Sequence, residues 1–423
     1  MSAGVGAEVR ALPVSDPLAD RKLYLELQRK YLVWDAFVGG ARRVDLHPLL
    51  LAPALHASAV RAAEGAWRVV SHLADQALDD ATELARYGLC PDAVALARAA
   101  RRGGDDASFV RVDLLLSESG DWYACEVNVD SPGGHNEAVG LPNLARAAGL
   151  RGAELPGNPL SALANRLCAL SAVTGGGSIG LVHATAHAED LQIAALLRRE
   201  LRARGHDGVL VPPTALHDDG SRLYARGRPL SALYRYYPTE YMQGLSNVAE
   251  LVRALERGAV RTLTSFSWYP AQSKFAYARA WAEKAALDPA LSRAVERTLP
   301  FTVDVASLSV PRLLAERREW VLKRALGRVG DQVVVGELTD EALWANVVDD
   351  VMAFRAHGER WVAQRRVLQR ALSTPWGPRL VTLGAYLCDG RFSGYFARLS
   401  AQSHVSHDAL CVPVFVESCT EAS

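Results

Sequence analysis

The chain has 423 residues, 49% of them hydrophobic, which is ample for one large core or two to three smaller ones. Its 47 Lys and Arg balance 47 Asp and Glu, so no global field draws it to nucleic acid or to an acidic membrane surface. Six cysteines with no C-x-x-C pair exclude a disulfide scaffold and a structural zinc site. No apolar run reaches membrane-spanning length and the N-terminus lacks the apolar segment of a signal peptide, so a reducing, cytoplasmic setting is expected. The short basic pairs, such as Arg42-Arg43 and Arg365-Arg366, are flanked by acids and read as solvated surface.

Residues 17 to 100 read as helical. DPLADRKLYLELQRKYLVWDAFV opens at Asp16 with Pro17 in the first turn, and ALHASAVRAAEGAWRVVSHLADQAL continues with apolar residues at helical spacing. SFVRVDLLLSESGDWYACEVNVD then alternates and predicts a hairpin with a two-residue turn at Ser119-Gly120. In that register Asp113 lies opposite Glu126 and Arg111 opposite Asn128, all four on one face. The other face carries Val110, Val112, Leu114, Cys125 and Val127 as core. SIGLVHA, EDLQIAALLRRELRARG, GVLVPP and LSALYRYYP predict a strand, a helix, a parallel strand and a third strand. Lys274 follows a loop and opens a helix. Lys323 ends a strand, Gly327 and Gly330 punctuate a loop, and QVVVG returns as a strand. Residues 340 to 356 are a helix, Gln364 lies in a strand, and a second hairpin turns at Asp389-Gly390 with Arg398 near the end of its return strand.

An acid directly opposite an acid destabilises a ladder unless something neutralises the pair. The hairpin alone leaves two readings open, a solvated face or a cation held by Asp113, Glu126 and Asn128, oxygen ligands suited to Mg²⁺. The Lys323 segment also has two readings, an ordinary hairpin with a surface lysine or a phosphate cradle. It is not a Walker A loop, because the lysine precedes the glycines. LVHATAHAED carries no glycine fingerprint, which argues against a dinucleotide-dependent oxidoreductase. His135, on the loop SPGGHNE, reads as exposed more readily than functional. Arg235 is a candidate for the substrate cleft, and Trp268 and Trp320 read as core.

Together these segments resemble the circularly permuted ATP-grasp ligases, most closely the synthetase domain of glutathionylspermidine synthases. The resemblance is carried by R-x-D at Arg111 to Asp113 and E-x-N-x-D-x-P at Glu126 to Pro132. It continues with P-x-x-x-K at Pro270 to Lys274, K-x-x-x-G-R-x-G at Lys323 to Gly330, and G-x-x-x-R at Gly394 to Arg398. The metal-binding strands precede both lysines, the order that a permuted chain requires. The resemblance spans roughly residues 100 to 415.

It implies an α/β fold: a circularly permuted ATP-grasp with an N-terminal helical region (1–105). A metal-binding hairpin with helices would follow (106–170), then an α/β substrate domain (171–290) and a nucleotide-binding lobe with the closing hairpin (291–423). It implies an ATP-dependent carboxylate–amine ligase acting through an acyl phosphate. Asp113, Glu126 and Asn128 would hold Mg²⁺. Lys274 and Lys323 would contact the phosphates of ATP, Gly327, Arg328 and Gly330 would cover them, and Gln364 would border the adenine. Arg111 and Arg398 would face the reacting carboxylate. The partners are then a small-molecule acid and an amine (an amino acid, a peptide or a polyamine), with a homodimer compatible. The chain departs from that family in lacking an N-terminal amidase with its Cys and His, and in reading SPGGHNEA after the metal strand.

Overall fold

The computed structural model describes residues 6–12, 17–327, 332–403 and 409–418. Its central element is an antiparallel sheet built from the two predicted hairpins. Phe109–Leu116 pairs with Trp122–Asn128, and Arg379–Cys388 pairs with Arg391–Ser400. The Phe109–Leu116 strand also pairs with Arg379–Cys388, so segments about 270 residues apart in sequence form one continuous surface. One face of that surface alternates apolar residues: Val110, Val112 and Leu114 beside Val381, Leu383 and Ala385. They pack on the long helix Pro53–Asp79, whose inward positions are largely alanine, valine and leucine. Small residues there let the helix approach the sheet closely, and the other face is left for polar chemistry.

The first hairpin differs from the predicted register in two places that offset each other. The Ser117 amide donates to the Asp121 carbonyl at 2.9 Å, which leaves three residues in the turn, with Gly120 at φ 91°. A bulge at Cys125 then inserts one residue into the return strand, so Leu114 faces Ala124 while Asp113 still faces Glu126. Cys125 leaves the core face as a result. It sits beside Glu126 on the polar face, and its thiol donates to the Asp113 carbonyl at 3.3 Å.

Strands between residues 178 and 263 form a second sheet. Ser178–His183 lies between Gly208–Val211 and Arg228–Tyr236, parallel to both, with helix Ala188–Ala203 as the crossover. A third, antiparallel sheet orders Thr302–Asp304, Trp361–Arg365, Trp320–Arg324 and Val333–Val335. It packs through Trp320, Leu322 and Ala363 on helix Glu341–Ala356, which contributes Trp344 and Val348.

Residues 17 to 100 are less uniformly helical than their periodicity suggests. Phe37–Val38 and Ala41–Arg42 form a small ribbon, and Leu49–Leu51 is a strand between Ala7–Val9 and Val414–Glu417. All three leucines are buried, so this strand has no polar face and shows no alternation that would distinguish it from a helix segment. Among the described residues no helix is long and apolar enough to cross a membrane, and five cysteines are free.

Candidate functional site

Alternation along the four neighbouring strands of the two hairpins, helped by the bulge, gathers the polar residues at one end of the central sheet. Arg111, Asp113, Glu126 and Asn128 come from the first hairpin, and Arg398, opposite Thr382, from the second. Gly384, paired with Asp113, makes room for them: a methyl group there would lie 2.7 Å from Arg111 Cδ.

Asp113 is the hub. It accepts from Arg111 Nε at 2.7 Å, Arg111 Nη2 at 3.0 Å, Asn128 Nδ2 at 3.2 Å and Arg398 Nη2 at 2.7 Å. The Arg111 contact is a two-pronged, charge-assisted pair, the strong kind. Burial alone would push the Asp113 carboxyl up. The Arg111 and Arg398 guanidiniums together more than offset this and hold it below the usual carboxylate range.

The 302–365 lobe closes over this face. Lys323 Nζ donates to Gln364 Oε1 at 2.7 Å and to the Cys125 carbonyl at 3.0 Å, which ties the lobe to the bulge. Lys274 pairs with Glu126 Oε1 at 3.0 Å and donates to the Gly327 carbonyl at 2.9 Å. Burial pushes Lys323 below the usual lysine range, although Glu126 pulls the other way. Glu126 would rise on burial, but Lys274 and Lys323 bring it below the usual carboxylate range. Between the lobe and the sheet lies a cleft of about 140 Å³. Its walls combine the charged set with Leu115, Val321, Val333 and Val335. A charged end and an apolar end in one cleft match a ligand with an anionic part and a flat apolar part.

The structure therefore brings together Arg111, Asp113, Glu126, Asn128, Lys274, Lys323, Gln364 and Arg398, with Gly327 held through its carbonyl. Arg328 and Gly330 lie outside the described residues. Four cations (Arg111, Lys274, Lys323, Arg398) surround the carboxylates of Asp113 and Glu126, and Arg365 and Arg366, expected as solvated surface, also line the cleft, which is therefore rich in positive charge. Among the described residues no group of three or more His, Cys, Asp or Glu forms a metal cage. The oxygen donors on the face are two carboxylates and an amide, a set suited to a hard cation that also takes ligands from phosphate. The residue types fit Mg²⁺; on Asp113, Oδ2 takes three donors (Arg111, Asn128 and Arg398) while Oδ1 accepts from Arg111 Nε.

Three single-residue readings change. His135 is not an exposed loop residue: it is fully buried and stacks on Tyr386 at 5.2 Å and Phe109 at 5.4 Å. Arg235 does not line the cleft. It is buried over the Phe266 ring and pairs with Asp130, fastening the 130 loop to the second sheet. Cys125 lines the cleft, as described above. The sequence pattern does not single out Tyr386, whose hydroxyl donates to the Gly133 carbonyl, or Tyr277, whose buried hydroxyl has no partner among the described residues. Tyr277 lies one helical turn after Lys274, a position that could have marked it.

No model of a known protein family matches the chain, and no curated protein matches it. Among solved structures, a glutathione synthetase-like effector from Globodera pallida, in its apo form, superposes with a TM-score of 0.61. The two are 12% identical, and the match covers 95% of this chain and 98% of that one, so they share a fold. A γ-glutamylcysteine synthetase candidate from Methylobacillus flagellatus KT aligns over 80% of this chain and 84% of its own at 13% identity. Its TM-score of 0.42 carries no weight here.

Proposed function

We propose that this chain, which shares its fold with a glutathione synthetase-like protein, is an ATP-dependent carboxylate–amine ligase on a circularly permuted ATP-grasp scaffold. The observation that carries this reading is the charge surplus of the cleft. Two lysines on separate elements and two arginines on the sheet converge on two carboxylates and an amide. Phosphoryl transfer to a carboxylate needs such a set, because it crowds negative charge and asks the protein mainly for positioning and neutralisation.

The roles follow from position. Lys274 and Lys323 bind phosphate oxygens of ATP, leaving Glu126 and Gln364 as they do so. The apolar end, with Val321, Val333 and Val335, takes the base, and Gln364 lies beside it. Arg111 and Arg398 orient the acid and hold the charge that develops on it. Asp113, Glu126 and Asn128 would hold Mg²⁺, which when bound neutralises phosphate charge. Once the phosphates have drawn Arg398 away, Asp113 has lone pairs to offer. The amine then displaces phosphate to form an amide, with ADP and phosphate as the other products.

In this reading residues 1–105 support the sheet from outside, 106–170 carry the metal face, 171–290 shape the substrate side and 291–423 supply the nucleotide lobe. The free cysteines suit a cytoplasmic setting. A second reading, an ATP-binding relative without turnover, is favoured by one observation, the engagement of Asp113 by two arginines and Asn128. The test is ADP and phosphate release from MgATP with pooled amino acids, short peptides and polyamines. Release that needs both an acid and an amine, and is lost in Glu126→Ala and Lys323→Ala, supports the ligase. ATP binding without release supports the second reading.

A further inference from the structure

The segment that leads out of the nucleotide lobe after Gln364 lines a second cavity as well as the cleft. That cavity encloses about 460 Å³, and Arg365, Arg366 and Val367 belong to the walls of both. Its other walls come from Pro300, Phe301 and Leu368, and from Glu118 and Tyr123 of the first hairpin. The chain enters the lobe at Pro300–Phe301 and leaves it at Arg365–Leu368, so both chain connections of the lobe border this one cavity. The Arg365 amide donates to the Phe301 carbonyl at 2.7 Å and the Glu118 amide to the Leu368 carbonyl at 2.9 Å. These bonds tie the two connections to each other and to the hairpin turn. Ser117, at the start of that turn, also lines the cavity. It lies four residues beyond Asp113, roughly 13 Å along the strand at about 3.3 Å per residue, so the cavity is set apart from the reacting groups.

The lining has the chemistry of a zwitterion with an apolar tail. Of the two arginines, Arg365 is already engaged: it pairs with Glu316 and Glu319 and lies over the Trp320 ring. Arg366 donates through Nε to the Arg318 carbonyl at 3.0 Å, and its two terminal nitrogens have no partner among the described residues. The Glu118 carboxylate has none either, because only its backbone amide is used. One cation and one anion are left to a ligand, Arg366 for a carboxylate and Glu118 for an ammonium. The apolar wall is open to solvent: Phe301 is 39% exposed and Leu368 52% exposed, and the half-buried Tyr123 lines the same space. Phe301 meets Trp281 edge to face at 5.3 Å, which fixes its ring as a packing surface.

We propose that this cavity binds a free amino acid with a large apolar side chain, and that its occupant sets the affinity of the cleft for nucleotide. The binding rests on the cavity alone, whereas the effect on nucleotide rests on the ligase reading. A free amino acid carries an ammonium and a carboxylate on one carbon, which neither end of a peptide does. An occupant that fits the cavity favours the arrangement in which Lys323 is held by Gln364 and the Cys125 carbonyl, and Lys274 by Glu126. ATP has to take those lysines, so occupancy weakens MgATP binding, and MgATP weakens the amino acid by the same factor.

Calorimetric titration of L-phenylalanine, L-tryptophan and L-leucine in turn, without nucleotide, tests the site. Saturable binding is expected for at least one of them. It should weaken about fivefold or more in Glu118→Gln and in Leu368→Ser, two exposed positions outside the cleft. Phenylpropionate, which lacks the ammonium, should bind wild type and Glu118→Gln alike, a pattern that damage to the fold would not give. No saturable binding of any of the three, or equal affinity in wild type and both variants, would overturn the proposal. With the amino acid saturating, the Kd for MgATP should rise at least about fivefold, the lower end of the usual coupling between two sites. A Kd that does not move would overturn the coupling. Wild type that binds the amino acid but no MgATP would uphold the site and overturn its effect on nucleotide together with the ligase reading.

Discussion

Asp113→Asn replaces the hub of the charged set with an isosteric side chain. The carboxylate takes four donors, three of them from guanidiniums at 2.7, 3.0 and 2.7 Å. Asparagine keeps the shape but turns an NH₂ toward groups that are themselves donors. Removing one partner of a buried ion pair costs about 3–5 kcal/mol, because the other charge is left unpaired. Arg398, with 23% of its side chain exposed, can recover water, whereas Arg111 at 10% cannot. The lower end, about 3 kcal/mol, is therefore the reasonable expectation. The urea slope grows with chain size, so for 423 residues it lies at or above the ~3 kcal/mol per molar end of the small-protein range, and the unfolding midpoint should fall by up to about 1 M. ATP without magnesium should recover more stability in the variant than in wild type, since phosphate oxygens replace the lost carboxylate. The sign with pH is fixed by the depressed carboxyl. Its contribution is fully present above the unfolded value of about 3.9 and is lost as pH falls through the folded value, so the two proteins should converge in strong acid. A variant within about 1 kcal/mol of wild type at neutral pH would refute the argument, because a buried unpaired guanidinium cannot be that cheap.

Other outcomes follow from particular residues. Magnesium alone should give no measurable heat in calorimetry, since Asp113 and Glu126 are engaged by Arg111, Arg398 and Lys274, and should bind only with nucleotide present. Gly384→Ala should preserve the circular dichroism spectrum yet abolish acid-dependent ADP release, because the new methyl group would lie 2.7 Å from Arg111 Cδ and push that side chain aside. Asp105 is 2% exposed, and burial pushes its carboxyl up to about 6. The folded protein thus keeps a proton that the unfolded chain releases, and stability should decline as pH rises from about 4 to about 6, by something on the order of 3 kcal/mol. Denaturation of Asp105→Asn across that window should show the slope removed.

The polar face was legible because a strand's period of two is rigid. Once Arg111, Asp113, Glu126 and Asn128 were placed on a hairpin, their common side followed. The register was reached through an incorrect turn, and the Cys125 bulge restored it. Bulges depend on how the neighbouring strand is held, so local pattern does not show them. The partnership of the two hairpins, which puts Arg398 on Asp113, is a long-range pairing with no local signal. His135 was misread because loop position says nothing about burial. Here Phe109 and Tyr386, from two distant strands, close over it. The Leu49–Leu51 strand was hidden by its apolar neighbours on both faces.

The measurement that bears most directly on the central claim is a calorimetric titration of MgATP into wild type and Lys323→Ala. Wild type should bind saturably, and removal of the lysine should weaken binding at least about tenfold, as expected for the loss of a charge-assisted contact of about 1.5–3 kcal/mol. Wild type that takes up no MgATP, or a variant that binds as tightly as wild type, would contradict a phosphate site between Lys323 and the Asp113 face.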